Sequence, residues 1–434
     1  MHSTIGEFQS SEAIFKGFTR CNVKDYTKRI CVQFKEDIVV EVSQNKKNLA
    51  ILMYILIALG GIVVDIIVPS LPSIRDAMLA SEFATQWSFS AAMLGFGVGQ
   101  IVAGIVVDSL GRKKPMVIGA GALSALLAVS AYSPNIYFLI LVRLFQGLAV
   151  SFVAVGGRAA IKDMFDGSDY LKAVNWITIS FAMGITLSPF VGGYIEQHFG
   201  WEMVFTALSV WTILGALLLS SLYSETGNFG HSINTGVIRN NFRVILGTSS
   251  FRIAGLICGV FYSVLPAFNT VGPFLVQSTL GYSPVFYGYI ALGLGACWLL
   301  GNLINRVLFS TSEMKKVSFS IGVSSLAIFV GILYQIVNGL HLVAFVAPVA
   351  IVIISLGILF PLFLGKALAP FGSMAGLANA LVFSGCWLAT AIVSFVTSSL
   401  PSSTAVPLLA LYALLLAVVG GVYFSSSRRS TSTV

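Results

Sequence analysis

Gly104-Ile-Val-Val-Asp108-Ser-Leu-Gly111-Arg112-Lys113-Lys114 is a short polar turn between two long apolar stretches, and its reading decides how the whole chain is organised. Each flank, 85–107 before it and 115–132 after it, suits a membrane crossing. Such a crossing takes about 20 apolar residues of helix, because every backbone amide must bond within the segment. Inside the turn, Gly111 permits a tight reversal and Asp108 accepts hydrogen bonds from a helix N-terminus or from Arg112. Gly104 is expected to let two helices approach closely.

Working outward, stretches of this kind recur twelve times, at 49–69, 85–107, 115–132, 136–160, 173–196, 201–222, 252–276, 284–308, 317–337, 341–367, 373–398 and 406–424. The composition agrees. Of 434 residues, 56% are hydrophobic and 10% charged, with mean hydropathy +0.90. A soluble chain carries about a quarter charged residues. Lys and Arg set the orientation, since loops facing the cytoplasm retain them. With the N-terminus inside, the cytoplasmic loops hold Arg112, Lys113, Lys114, Lys162, Lys172, Arg239, Arg243, Arg252, Arg306, Lys315, Lys316 and Lys366. Arg428 and Arg429 follow in the tail, and the opposite side receives only Arg75. Both termini are therefore expected in the cytoplasm. The net charge of +8 is this bias and not a nucleic-acid surface, for no basic stripe with interleaved aromatics accompanies it.

The expected fold is an all-α membrane protein of twelve transmembrane helices in two pseudo-symmetric six-helix bundles. The division runs 1–48 as a disordered cytoplasmic tail or a misassigned start, 49–222 and 249–424 as the bundles, 223–248 as a Gly-, Asn- and Ser-rich linker, and 425–434 as a second tail. A repeat supports two halves: Gly301-x-x-x-Asn305-Arg306 with Lys315-Lys316 occupies, after span eight, the place of the opening turn after span two. Six-plus-six repeats are a transporter architecture. Other signals are bland. Cys21, Cys31, Cys258, Cys297 and Cys386 have no C-x-x-C spacing, and His2, His198, His231 and His341 are isolated, so neither a metal nor another cofactor is expected. Met1 opens a mixed-charge segment unlike a cleaved signal peptide.

The turn Gly104–Lys114 resembles the signature loop of the major facilitator superfamily, at the place between spans two and three where that loop belongs. Leu139-Ile-Leu-Val-Arg143-Leu-Phe-Gln146-Gly147 resembles the superfamily's intramembrane arginine motif. Gly184-Ile-Thr-Leu-Ser188-Pro189-Phe-Val-Gly192-Gly193 is similar to its antiporter motif, with Ser188 in place of a smaller residue. Asp65-Ile-Ile-Val-Pro69-Ser-Leu-Pro72-Ser-Ile is similar to span one of the bicyclomycin- and chloramphenicol-resistance (Bcr/CflA) drug:proton antiporters. Arg158-Ala-Ala-Ile-Lys-Asp163, Gly200-Trp201-Glu-x-x-Phe205 and Gly272-Pro273-Phe274-Leu275-Val-Gln277 fit the same group. Val68 and Glu202 depart from its pattern. The resemblance spans residues 49–424. It implies that Asp108, Arg112 and Asp163 form a charge cluster that locks the outward-facing state, and that the span-five glycines seal against leak.

Two ionisable residues stand out within the spans. Asp65 lies about six residues before the end of span one and Arg143 about seven after the start of span four, so both sit roughly 10 Å below one surface. A charge there is usually functional and paired. The expectation is that Asp65 carries the coupling proton while Arg143 bridges it directly or through water. Gly184, Pro189, Gly192 and Gly193 read as a kink and packing surface. Gln146, Tyr262, Phe268 and Asn269 are the candidates for the substrate cavity, with Gln277, Asn379, Phe261, Phe383 and Trp387 as further polar and aromatic residues of the second bundle.

The function expected is a proton-coupled efflux antiporter for drugs or other small organic molecules, with a siderophore or metabolite permease as the alternative. Its partners are a small organic substrate, the proton and the lipid bilayer. The protein is expected to act as a monomer in a bacterial inner membrane. No H-E-x-x-H, G-x-S-x-G or P-loop motif is present, which speaks against an enzyme or an ATP-driven pump.

Overall fold

The computed structural model describes residues 46–226 and 235–431, and the tail through 45, with Cys21, Cys31 and His2, lies outside these, as does His231. Among the described residues the chain is helical throughout. Twelve helices are long and apolar enough to cross a membrane: Lys46–Ala77, Glu82–Leu110, Lys113–Ala131, Ile136–Met164, Gly167–Phe199, Trp201–Leu222, Ser249–Thr279, Pro284–Val307, Glu313–Asn338, Leu342–Leu368, Gly376–Ser398 and Val406–Ser426. They are spans one to twelve. Residues 53–434 form one compact unit, distinct from the segment that ends at Leu52.

Local chemistry sets the ends of these helices. Ser81, Asn135 and Ser283 accept from the backbone N–H three residues on, at 3.2, 3.0 and 3.2 Å, satisfying donors that a helix start leaves free. Gly111 (φ 89°) and Gly200 (φ 86°) take the left-handed turn that a side chain would resist. The linker is not the featureless segment its composition suggests: Thr235–Gly247 is a helix, with Ile245 buried and Arg239 and Arg243 exposed. The Ile245, Arg239 and Arg243 pattern is amphipathic, but its short apolar face hides it from a search for long apolar runs.

Two spans are broken. The α-helix of span one ends at Asp65, passes through a turn and a 3-10 segment at Val68–Ser70, and resumes at Leu71. Pro69 has no N–H to offer the carbonyl of Asp65 four residues back. Span seven is interrupted at Ser263 and finishes as a π-helix, Phe274–Thr279, after Pro273. Irregular backbone of this kind survives at membrane depth only where protein or water satisfies it.

The first six and last six spans meet at mid-depth and at the end that carries Arg75. Ser90 Oγ and Thr270 Oγ1 both meet Ser394 Oγ at 2.7 Å, and Ser384 Oγ donates to Gly97 O at 2.7 Å. Ser402 bonds Glu82, and Phe83 and Trp87 meet Phe395 edge-on at 5.7 Å each. On the half towards Arg112, the ion pairs of Arg112 with Asp108 and Asp163 and of Lys366 with Glu313 each stay within one set.

Candidate functional site

The break in span one puts Asp65 at the seam between the two sets of spans. Its side chain is 4% exposed, and its Oδ1 accepts from Asn269 Nδ2 at 2.9 Å. Tyr287 OH donates to Asn269 Oδ1 at 2.9 Å, fixing the amide with its N–H₂ towards the carboxylate. A chain of three buried groups thus runs from span eight through span seven to span one. Four residues after Asp65, Pro69 O accepts from Gln277 Nε2 at 2.8 Å, so each broken segment supports the other.

Arg143 does not pair with Asp65. It is fully buried, and its Nη1 donates to Val63 O at 2.8 Å and to Gln146 Oε1 at 2.9 Å, while Nη2 donates to Val64 O at 3.1 Å. The guanidinium therefore holds the carbonyls just before the break, where a helix C-terminus favours positive charge. Gln146 is taken up in this support. Its Nε2 donates to Ser130 Oγ at 2.7 Å and to Leu126 O at 3.1 Å, which places it between spans three and four and not on a cavity wall. Phe268 is likewise core: it has no exposed surface and stacks on Tyr287 at 5.9 Å and on Phe345 at 5.3 Å. Tyr262 is partly accessible, among Trp298, Phe360 and Trp387 with ring centroids 6.4, 5.8 and 5.5 Å away.

A profile of the Major Facilitator Superfamily matches residues 53–394, most of the chain. The chain belongs to the major facilitator superfamily. Among its relatives are "Multidrug resistance protein D" of Escherichia coli strain K12, 22% identical over 83% of this chain and 91% of that one. The "Bicyclomycin resistance protein homolog" of Haemophilus influenzae is 25% identical over 85% and 94%. The fold is that of the crystallised D-xylose-proton symporter, with TM-score 0.67 and 16% identity over 86% of this chain and 96% of that one. The superfamily's members are multi-pass membrane transporters, so this protein is a transporter and not an enzyme, and the likeness to the bicyclomycin-resistance group of drug:proton antiporters stands.

Its signature loop folds around Arg112. Arg112 Nε donates to Asp163 Oδ2 at 3.0 Å and Nη1 to Val107 O at 3.1 Å, and Nη1 lies 3.5 Å from Asp108 Oδ1. The three charges expected to cluster do so. Glu225, from the linker, completes the loop: its two carboxylate oxygens accept from the backbone N–H groups of Arg112 and Lys113 at 2.8 and 2.9 Å. That carboxylate caps the start of span three. Thr226 Oγ1 donates to Asp163 Oδ2 at 3.1 Å and meets Tyr223 OH at 2.6 Å, and burial pushes the Tyr223 phenol up to about 12. Gly104 departs from expectation: a Cβ there meets nothing within 4 Å, so its lack of a side chain is not what brings two helices together. In the second-half echo the glycine is used, because a Cβ on Gly301 would overlap Ile354 O.

The span-five motif packs where the sequence put it and on more than one partner. A Cβ on Gly184 would lie 2.8 Å from Ala58 O, one on Gly192 would overlap Ile66 O, and one on Gly193 would lie 2.5 Å from Pro284 O. The motif thus presses span five onto the residue after Asp65 and onto the start of span eight. Ser188, the departure from the motif, has a local reason. Pro189 leaves Ile185 O without its helical donor, and Ser188 Oγ bonds that oxygen at 3.3 Å.

Tyr287, Glu225 and Gln100 escaped the sequence reading, and Arg158 entered it only as part of a motif, with no role of its own. Arg158 was two residues from the expected end of span four. The helix continues to Met164, which sets it well inside. Tyr287 and Gln100 are neutral residues in apolar helices and give no periodic or charge signal.

Proposed function

We propose that this transporter is a proton-coupled antiporter that exports drugs or other small organic molecules by alternating access, with Asp65 as its proton carrier. The observation that carries the reading is the Asp65–Asn269 bond across the seam. A buried carboxylate held by a neutral amide, with no cation in ion-pair contact, changes its interaction with the other half of the molecule whenever it gains or loses a proton. Protonation and separation of the halves are then one event. Arg143 keeps the break in span one rigid, so that the carboxylate is presented at the seam.

The moving bodies in this reading are 49–222 and 249–424, joined by the linker at 223–248. The excess of Lys and Arg at the Arg112 end supports that end as cytoplasmic, with both termini inside. The ties between halves then lie on the outer side, and the arrangement is inward-facing. The Arg112–Asp163–Asp108 cluster would engage the opposite half in the other state, for which Asp108, 76% exposed here, is available. Drug export is supported by the relatives named for multidrug and bicyclomycin resistance.

The test is flux of a panel of drugs and siderophores in proteoliposomes under an imposed pH gradient, comparing the wild type with Asp65→Asn. The variant is expected to move substrate downhill and to lose uphill movement driven by the gradient. Uphill, pH-dependent transport retained in full by Asp65→Asn would refute the assignment.

A further inference from the structure

Arg158 is a cation that proton coupling leaves without a task. It lies six residues before the end of span four, about 9 Å along the axis. Its Nε donates to Ala154 O at 3.0 Å and its Nη2 to Gln100 Oε1 at 3.0 Å. Helical side chains lean towards the N-terminus, so the guanidinium is carried away from the nearer membrane surface, and Gln100 holds it there. Among the described residues no carboxylate reaches it: the ion pairs belong to Arg75, Arg112, Lys172 and Lys366. Its Nη1 makes no hydrogen bond and is not sealed from solvent. An arginine inside a membrane bundle with no acid beside it is expensive, and such residues mark the path of a substrate or ion.

The cation lies beside an aromatic cluster. Phe96, one turn before its partner Gln100 on span two, meets Trp387 edge-on at 4.8 Å, and Trp387 meets Tyr262 at 5.5 Å. Around it Trp298, Phe360 and Trp387 present flat apolar faces, and Tyr262, Trp298 and Arg158 are all partly accessible although they lie in the bundle interior. A fixed positive charge with a free donor, next to aromatic faces, is complementary to a flat apolar molecule bearing a negative charge.

We propose that Arg158, Gln100 and the wall around Tyr262 form the substrate site, and that it selects aromatic compounds carrying an anionic group, which Arg158 binds. The inference rests on the reading of the protein as an exporter of small organic molecules and names the class it takes. An aromatic cation of the same size is disfavoured, because it would bring a second positive charge to an uncompensated guanidinium.

The experiment uses the full chain in lipid nanodiscs without any gradient. Tryptophan fluorescence reads the binding of two probes that share a ring system and differ in charge, 1-naphthoate and 1-naphthylmethylammonium. The wild type is expected to hold the carboxylate about tenfold more tightly than the ammonium, the worth of one charge-assisted hydrogen bond. Arg158→Gln should abolish that preference and Arg158→Lys should retain part of it. Gln100→Glu, which gives Arg158 an internal counter-charge, should abolish it too and serves if Arg158→Gln does not fold. Equal or stronger binding of the ammonium by the wild type would overturn the proposal. So would an undiminished carboxylate preference in a folded Arg158→Gln or Gln100→Glu protein. Because binding is read without a pH gradient, its failure is separate from failure of the Asp65 flux test.

Discussion

Replacing Gly192 by alanine drives a methyl group into the backbone of span one at the residue that follows Asp65. The added Cβ would overlap Ile66 O and lie 2.9 Å from its carbonyl carbon and 3.1 Å from Ile66 Cγ1. Ordinary Cβ contacts begin near 3.4 Å. A carbonyl cannot swing aside as a flexible side chain does, so spans one and five must part by more than about 1 Å in a close-packed interior. Overpacking of that kind costs about 1–3 kcal/mol, against a gain of up to about 1 kcal/mol from replacing a helical glycine. Gly121, in span three with nothing within 4 Å of its built Cβ, shows the gain alone. The measurement is thermal melting in detergent followed by pH-driven flux. Gly192→Ala is expected to melt below the wild type and to leak protons, while Gly121→Ala melts at or above it. Equal melting of the two variants, with tight coupling kept in Gly192→Ala, would refute the argument that span five seals against the break in span one.

Asn269→Leu removes the amide that Asp65 bonds and leaves a buried carboxyl without a protein donor, a loss of about 1.5–3 kcal/mol for a bond to a charged group. Uphill flux in proteoliposomes should fall about tenfold or more, whereas Tyr287→Phe, which only frees the orientation of that amide, should do less. Gly111→Ala forces a side chain onto φ 89°, at about 1–3 kcal/mol, and should lower the melting temperature without touching the Arg112–Asp163 pair. Melting at the wild-type temperature would show that the loop relaxes freely.

How much of this was legible beforehand differs from residue to residue. Asp65 and Arg143 stood out because a charge in an apolar run is rare, yet their equal depth suggested a bond that they do not make. Depth is a property of each helix alone, whereas the direction of a side chain depends on its neighbours. The carbonyls of Val63 and Val64, freed at the break in span one, are what Arg143 meets. Gln146 and Phe268 looked like cavity residues by type and are packing by placement, while Arg158 was hidden by a span boundary drawn four residues short.

By itself the sequence determined that twelve helices are long and apolar enough to cross a membrane, roughly where each lies, and which loop marks the superfamily. Those follow from the free energy of burying apolar side chains and from the rule that each backbone amide must bond within its own span. Only the tertiary structure decided that Asp65 answers to Asn269 and Tyr287, that Glu225 from the linker caps span three, and that a side chain would find open space at Gly104 but not at Gly192, which rests on Ile66. These are pairings between residues far apart in the chain, with Asp65 and Asn269 separated by 204 positions. Local sequence pattern carries no record of which helix face will meet which.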